Sequence, residues 1–142
     1  MTDVYTDGAC LGNPGPGGWA YVVPNGVSKA GSEVHTTNQR MELFAVYRAL
    51  VDIEGPLRVH SDSAYVVNCF LQKWWAGWER KGWRTSQGTQ VANLDLWKPV
   101  IEIFKVRPDL TFVKVKGHSG DRYNEVADGL ANDAARTAAK TE

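Results

Sequence analysis

The sequence predicts a mixed α/β domain, in which a three-strand hairpin meander is followed by strands joined through helices. Two observations carry this. Strand-length apolar runs punctuated by Gly, Pro and Asn fill residues 3–35, and apolar spacing turns helical only after Gln39. Beyond that point, strand-like runs at 57–60 and 110–115 alternate with helical stretches, the order expected of strands joined by crossovers. The 142 residues fit one domain with an ordinary core, spanning residues 1–142. A content of 43% apolar and 23% charged residues is that of a folded globular chain.

Residues 3–9 and 19–23 form the first two strands, on either side of a Gly/Pro stretch at 12–18. Pro24-Asn25-Gly26 turns the chain into a third strand from Ser28 to His35. Leu43, Val46, Tyr47 and Leu50 then recur at helical spacing between Gln39 and Ile53, with Thr37 or Asn38 as the cap. Gly55-Pro56 ends that helix and Leu57 to His60 reads as a short buried strand. Helices follow at 63–72 and 74–80, then a polar loop to about Asn93. Leu94 to Phe104 suits a further helix, with Pro99 as an interruption or an early-turn residue. Residues 110–115, LTFVKV, alternate as the last strand, and alanine-rich Asn124 to Lys140 is helical.

The charge balance narrows the function. Sixteen basic and 16 acidic residues cancel, which argues against indiscriminate coating of polyanions but permits a local basic patch. Such a patch is present: Lys73, Arg80, Lys81, Arg84 and Lys98 outweigh Glu79 and Asp95. Cys10 and Cys69 have no metal-type spacing, and two reduced thiols in a cytoplasmic protein are expected. No apolar run approaches the ~20 residues of a membrane span, and no signal peptide is recognisable.

Three carboxylates stand where chemistry can use them. Asp7 and Asp62 each follow a strand's apolar run, and Glu42 lies in the first turn of the first long helix. Neighbouring strands would bring both aspartates to one sheet end, where close carboxylates must share protons or hold a cation. Hard oxygen ligands suit Mg²⁺. Asp128, one turn into the final helix, offers a fourth. Taken singly, a helix-start Glu is ordinarily a dipole partner and a strand-end Asp a turn former; the set is what points to a metal.

His118 lies between glycines in KGHSG, on a loop rather than an apolar face. It is either an exposed histidine without a role or a proton carrier near a metal site. The 12–18 stretch lacks the ending of a P-loop and precedes a strand, so a hairpin connection competes with a phosphate-contacting loop, where Cys10 and Asn13 would touch a ligand. Trp74, Trp75, Trp78 and Trp83 cluster among cations, and Trp74 and Trp78 are one helical turn apart. Such a surface can pack on sugars or bases while the cations meet phosphates. Trp83 and Trp97 are assigned mainly to structure.

Together these elements resemble type 1 ribonuclease H, which cuts the RNA strand of RNA/DNA hybrids. The resemblance runs through YTDGACLGNPGPGGWA, TTNQRMEL, HSDSAYV, GWERKGWRTSQG, VANLDLW and KGHSGDRYNEVADGLA, in order and across the chain. It implies the ribonuclease H-like fold, with a five-stranded mixed sheet and a basic protrusion at about 74–93. By motif, Asp7, Glu42, Asp62 and Asp128 resemble the carboxylates that hold two Mg²⁺, for which Mn²⁺ can substitute. His118 resembles the loop histidine that assists catalysis or product release. Cys10, Asn13, Asn38 and Gln39 resemble contacts to RNA, where amides can engage 2′-hydroxyls. Thr37 and Asn93, with Arg84 to Ser86 nearby, resemble the DNA-strand side, and Trp74 and Trp78 its aromatic channel. The resemblance implies an RNA/DNA hybrid as partner, and a cytoplasmic monomer is expected.

Overall fold

In the computed structural model, which describes residues 1–116 and 121–141, ten elements are formed. They are β1 (Thr2–Cys10), β2 (Gly15–Val22), β3 (Ser28–Thr36), α1 (Asn38–Asp52), β4 (Leu57–Ser61), α2 (Ala64–Leu71), α3 (Trp74–Arg80), α4 (Leu94–Val106), β5 (Leu110–Lys114) and α5 (Arg122–Thr141). The sheet order is β3-β2-β1-β4-β5. The meander pairs antiparallel, and β1, β4 and β5 run parallel. The expected mixed sheet is therefore present, with β1 at its centre.

Pleat alternation shows how the layers form. Gly8 opposes Trp19, and Ala9 opposes Gly18, so these two pairs lie on opposite faces. A Cβ on Gly8 would stand 2.3 Å from the Glu42 backbone nitrogen, whereas one on Gly18 would stand 2.3 Å from the Ala131 carbonyl oxygen. Thus α1 covers one face and α5 the other. The α1 side holds the larger core, in which Met41, Leu43, Val46, Val59, Trp97 and Ile101 are fully buried. On the α5 side, Ala9, Ala20, Ala131 and Ala135 make a small, close-packed seam. Alanine's small side chain lets helix and sheet approach closely there.

Several boundaries differ from the expectation. The Gly/Pro stretch at 12–18 is not all loop: β2 begins at Gly15. Gly17 and Gly18 are strand residues that leave room for Thr36 and for Ala131 and Ala134 across the packing faces. Helix α1 begins at Asn38 with Thr37 as N-cap, its hydroxyl accepting from the Arg40 amide at 3.2 Å. Glu42 therefore lies in the second turn rather than the first. Helix α5 begins at Arg122, where Asp121 accepts from the Tyr123 and Asn124 amides at 3.1 Å. Asp128 is accordingly deeper than one turn in. Pro99 sits inside a continuous α4, an interior position that leaves the carbonyl four residues before it without its usual donor.

Gly8→Ala is expected to destabilise the fold by about 3 kcal/mol or more, because the helix backbone is not a soft neighbour. Thermal melting checks this. The loss should exceed that of Ala9→Gly on the opposite face, and a melting temperature within 2 °C of wild type (roughly 0.5 kcal/mol) would contradict it.

Candidate active site

Parallel pairing of β1 with β4 matches Thr6 to Ser61. Asp7 and Asp62, each the next residue, therefore stand side by side where β4 ends; β1 itself runs on to Cys10, so Asp7 lies within its strand rather than at its end. Asp7 pairs in register with Ala20 and so shares the α5 face. Glu42 comes from α1, over the bare backbone of Gly8. Carboxylates from both faces thus converge where β4 ends. One carboxylate oxygen each from Asp7, Glu42 and Asp62 lie within 4.8 Å of one another.

Burial makes this group costly. Asp7 is 2% exposed and Glu42 6%. The Gly8 amide donates to Asp7 Oδ1 at 2.9 Å, but Asp7 Oδ2 and Glu42 Oε2 are buried without a hydrogen-bond partner among the described residues. Burial pushes the Asp7 carboxyl up to about 7, with the Asp62 charge adding to it and the Gly8 amide opposing. Burial first and the Asp7 charge second push Glu42 well above the usual range. Two buried, unpaired carboxylate oxygens beside a third carboxylate form a hard donor set that fits a divalent cation such as Mg²⁺.

Asp128 stands beside Asp7 and interacts with it through its side chain, yet it is outside the tight group of three. Asn132 holds it by donating to its Oδ1 at 3.2 Å and to its carbonyl at 2.9 Å. His118 lies outside the described residues.

The expected substrate-binding residues fall into two grooves. Asn13, Thr37, Asn38, Gln39 and Asn93 line one of about 570 Å³. Asn13 Oδ1 accepts from the Asn38 amide at 3.0 Å, which ties the β1–β2 connection to the start of α1. Cys10 does not line this groove; its thiol is directed to the Gly15 and Thr36 carbonyls at 3.5 and 3.4 Å, and Cys10 and Cys69 are both free. Trp74, Trp78, Lys81, Arg84 and Ser86 line a second groove of about 320 Å³. Arg84 is oriented there by donating to the Gly88 carbonyl at 2.9 Å. Trp83 packs against the core and Trp97 is fully buried, in line with their structural assignment.

Three polar residues escaped the sequence reading. Asn124, four residues before Asp128 on α5, is 3% exposed, and its Oδ1 lacks a partner among the described residues. Arg40 forms a two-pronged pair with Asp95 at 2.9 and 2.6 Å, and the Tyr65 hydroxyl accepts from Asn93 and Trp97. Asn124 carried a usable signal, since its i, i+4 spacing to Asp128 places both on one helix face. The other two depend on contacts between distant segments.

In comparisons with known proteins, the family model described as RNase H matches residues 1–136. A ribonuclease H of Syntrophomonas wolfei subsp. wolfei is 50% identical over 140 residues, covering 94% of this chain and 95% of that protein. One of Moorella thermoacetica is 48% identical over 136 residues, covering 92% and 89%. The crystal structure of LC9-RNase H1, a type 1 RNase H with the type 2 active-site motif, aligns with a TM-score of 0.77 at 33% identity. It covers 96% of this chain and 72% of that one.

The carboxylate group has a measurable consequence. Because the folded state binds the Asp7 proton more tightly than the unfolded chain, Asp7's contribution to stability is fully present below about pH 4 and is lost as pH rises to about 7. Asp7→Asn escapes that loss. In metal-free buffer at pH 8 it should melt about 5 °C or more above wild type, an advantage that disappears below about pH 4. Mg²⁺ should raise the wild-type melting temperature and leave the variant's unchanged. A variant less stable than wild type at pH 8 without metal would refute the electrostatic reading.

Proposed function

The chain belongs to the ribonuclease H family, and from that premise we propose that it hydrolyses the RNA strand of RNA/DNA hybrids endonucleolytically, with two Mg²⁺, leaving 5′-phosphate and 3′-hydroxyl ends. The observation that carries this reading is the convergence of Asp7, Glu42 and Asp62, with two buried oxygens that have no partner among the described residues. Asp128 joins them from α5 as the fourth ligand. When bound, the ions supply a more acidic water for attack and neutralise charge on the leaving 3′ oxygen.

The chain's own residues do the rest. The Gly8 amide fixes one oxygen of Asp7, and this carboxylate would help hold a bound cation. Burial of Asp7 and Glu42 keeps competing water away from their oxygens. His118 carries a proton to or from the reacting groups, or helps the product leave, tasks for which an imidazole side chain is suited.

Strand choice is a matter of the two grooves. Asn38 and Gln39, beside Asn13, present amides that both donate and accept, which suits a 2′-hydroxyl. Cys10 contributes to the RNA side through its position next to that connection. Thr37 and Asn93 take a DNA phosphate. Trp74 and Trp78 offer apolar faces to deoxyribose, with Arg84 and Ser86 at the edge of the same groove. Mn²⁺ is expected to replace Mg²⁺ in the same donor set. A monomeric catalytic domain over residues 1–142 suffices for all these roles. Among the described residues no helix is long and apolar enough to cross a membrane.

A hybrid labelled on its RNA strand, incubated with Mg²⁺ or Mn²⁺ beside single-strand and DNA-duplex controls, tests the reading. Cleavage confined to the hybrid's RNA is expected; no cleavage with either metal, or cleavage of duplex DNA, would overturn it. Asp62→Asn should lower kcat by about 100-fold or more while hybrid affinity stays within about threefold.

A further inference from the structure

We propose that Tyr65 is a positioning residue for hybrid binding: its hydroxyl aims the Asn93 amide into one groove while fixing the indole that backs the other. This rests on the reading of the grooves given above and names what couples them.

The geometry begins at Asn93. It is the N-cap residue of α4, in the left-handed region with φ 61°, yet its side chain makes no capping hydrogen bond. Asparagine ordinarily earns its place at a helix start by capping, so here the amide is committed elsewhere. Its Nδ2 donates to the Tyr65 hydroxyl at 3.2 Å, and its Oδ1 accepts from Arg40 Nη1 at 3.5 Å. Arg40 is itself fixed by the two-pronged pair with Asp95. The amide is therefore held at both ends, and its second N–H remains for a ligand oxygen in the groove that Asn93 lines.

The same hydroxyl accepts from the Trp97 indole nitrogen at 2.7 Å. Trp97 is fully buried and meets Trp78 edge-on, with ring centroids 5.3 Å apart. Trp78 in turn lines the second groove. One oxygen thus sets the orientation of a polar contact and, through Trp97, the seat of an aromatic one. No other described side chain bonds to both Asn93 and Trp97.

The test is a double-mutant cycle read by steady-state kinetics on a Mg²⁺-dependent hybrid cleavage assay, well below the melting temperature. Tyr65→Phe keeps the ring and removes the shared acceptor. It should raise KM roughly 3- to 10-fold, the size of one hydrogen bond, with kcat within about twofold. Asn93→Ala should raise KM at least as much, and on that background Tyr65→Phe should keep only the smaller part of its effect, the part that passes through Trp97. Arg40→Met, which leaves Trp97 paired, should raise KM through Asn93 alone and be silent beside Asn93→Ala. A full Tyr65→Phe effect persisting in the Asn93→Ala background would show a merely structural role and overturn the inference. An unchanged KM for Tyr65→Phe where Asn93→Ala raises it would overturn the inference alone. An unchanged KM for Asn93→Ala would overturn it together with the groove assignment.

Discussion

The approach of the α1 backbone to β1 at Gly8 is the constraint on which the rest of the site depends. It brings Glu42 from one face of the sheet to meet Asp7 from the other, at a point where each carboxylate has one buried oxygen without a partner among the described residues. In isolation that arrangement is unfavourable, because burial and mutual repulsion both oppose ionisation. The fold nevertheless makes it unavoidable. Gly8 has no side chain to hold the helix off, and the fully buried Met41, Leu43 and Val46 pull α1 onto the sheet. Apolar packing on either side of Glu42 thus supplies the free energy that holds two acids together. Such a pair suits a cation, since neutralisation by a divalent ion would remove the penalty without disturbing the packing.

How much of this was legible in the sequence depends on whether the cause was local. The place of Asp62 just past β4 follows from an apolar run that stops at an acid, and parallel pairing of β1 with β4 sets Asp7 beside it, though Asp7 lies inside β1 rather than at its end as its apolar run suggested. The helical spacing of Leu43, Val46 and Leu50 was equally plain. Gly17 and Gly18 were misleading. Glycine is ordinarily read as a turn signal, whereas here it is demanded by helices and side chains packed across a strand. Such demands come from residues more than a hundred positions away in the case of Ala131. The Tyr65 hydrogen bonds were illegible for the same reason, because they join α2 to the start of α4 across 28 and 32 positions.

The aromatic cluster divides between core and surface by degrees. Trp97 is entirely buried, Trp78 leans on it, and Trp74 is 36% exposed with its ring 6.5 Å from Trp78. A series graded in this way transmits the rigidity of the core outward, so that the outermost rings are held with little conformational freedom left to lose. Stacking surfaces of this kind are effective because the ordering cost has been met in folding rather than on contact.

Charge in the same region is less free than its formal count suggests. Glu79 on α3 is paired with Lys105 on α4, which removes an acid from the surface at the expense of a base outside the protrusion. Lys98 lies over the Trp83 ring at 5.7 Å. Arg84 is tethered to the Gly88 carbonyl while still lining the tryptophan groove with Lys81. What remains for a polyanion is a small number of placed cations next to rigid aromatic faces, on a chain with no net charge. Long-range attraction is therefore weak, and discrimination falls to contacts that fit the shape and hydroxyl pattern of the ligand.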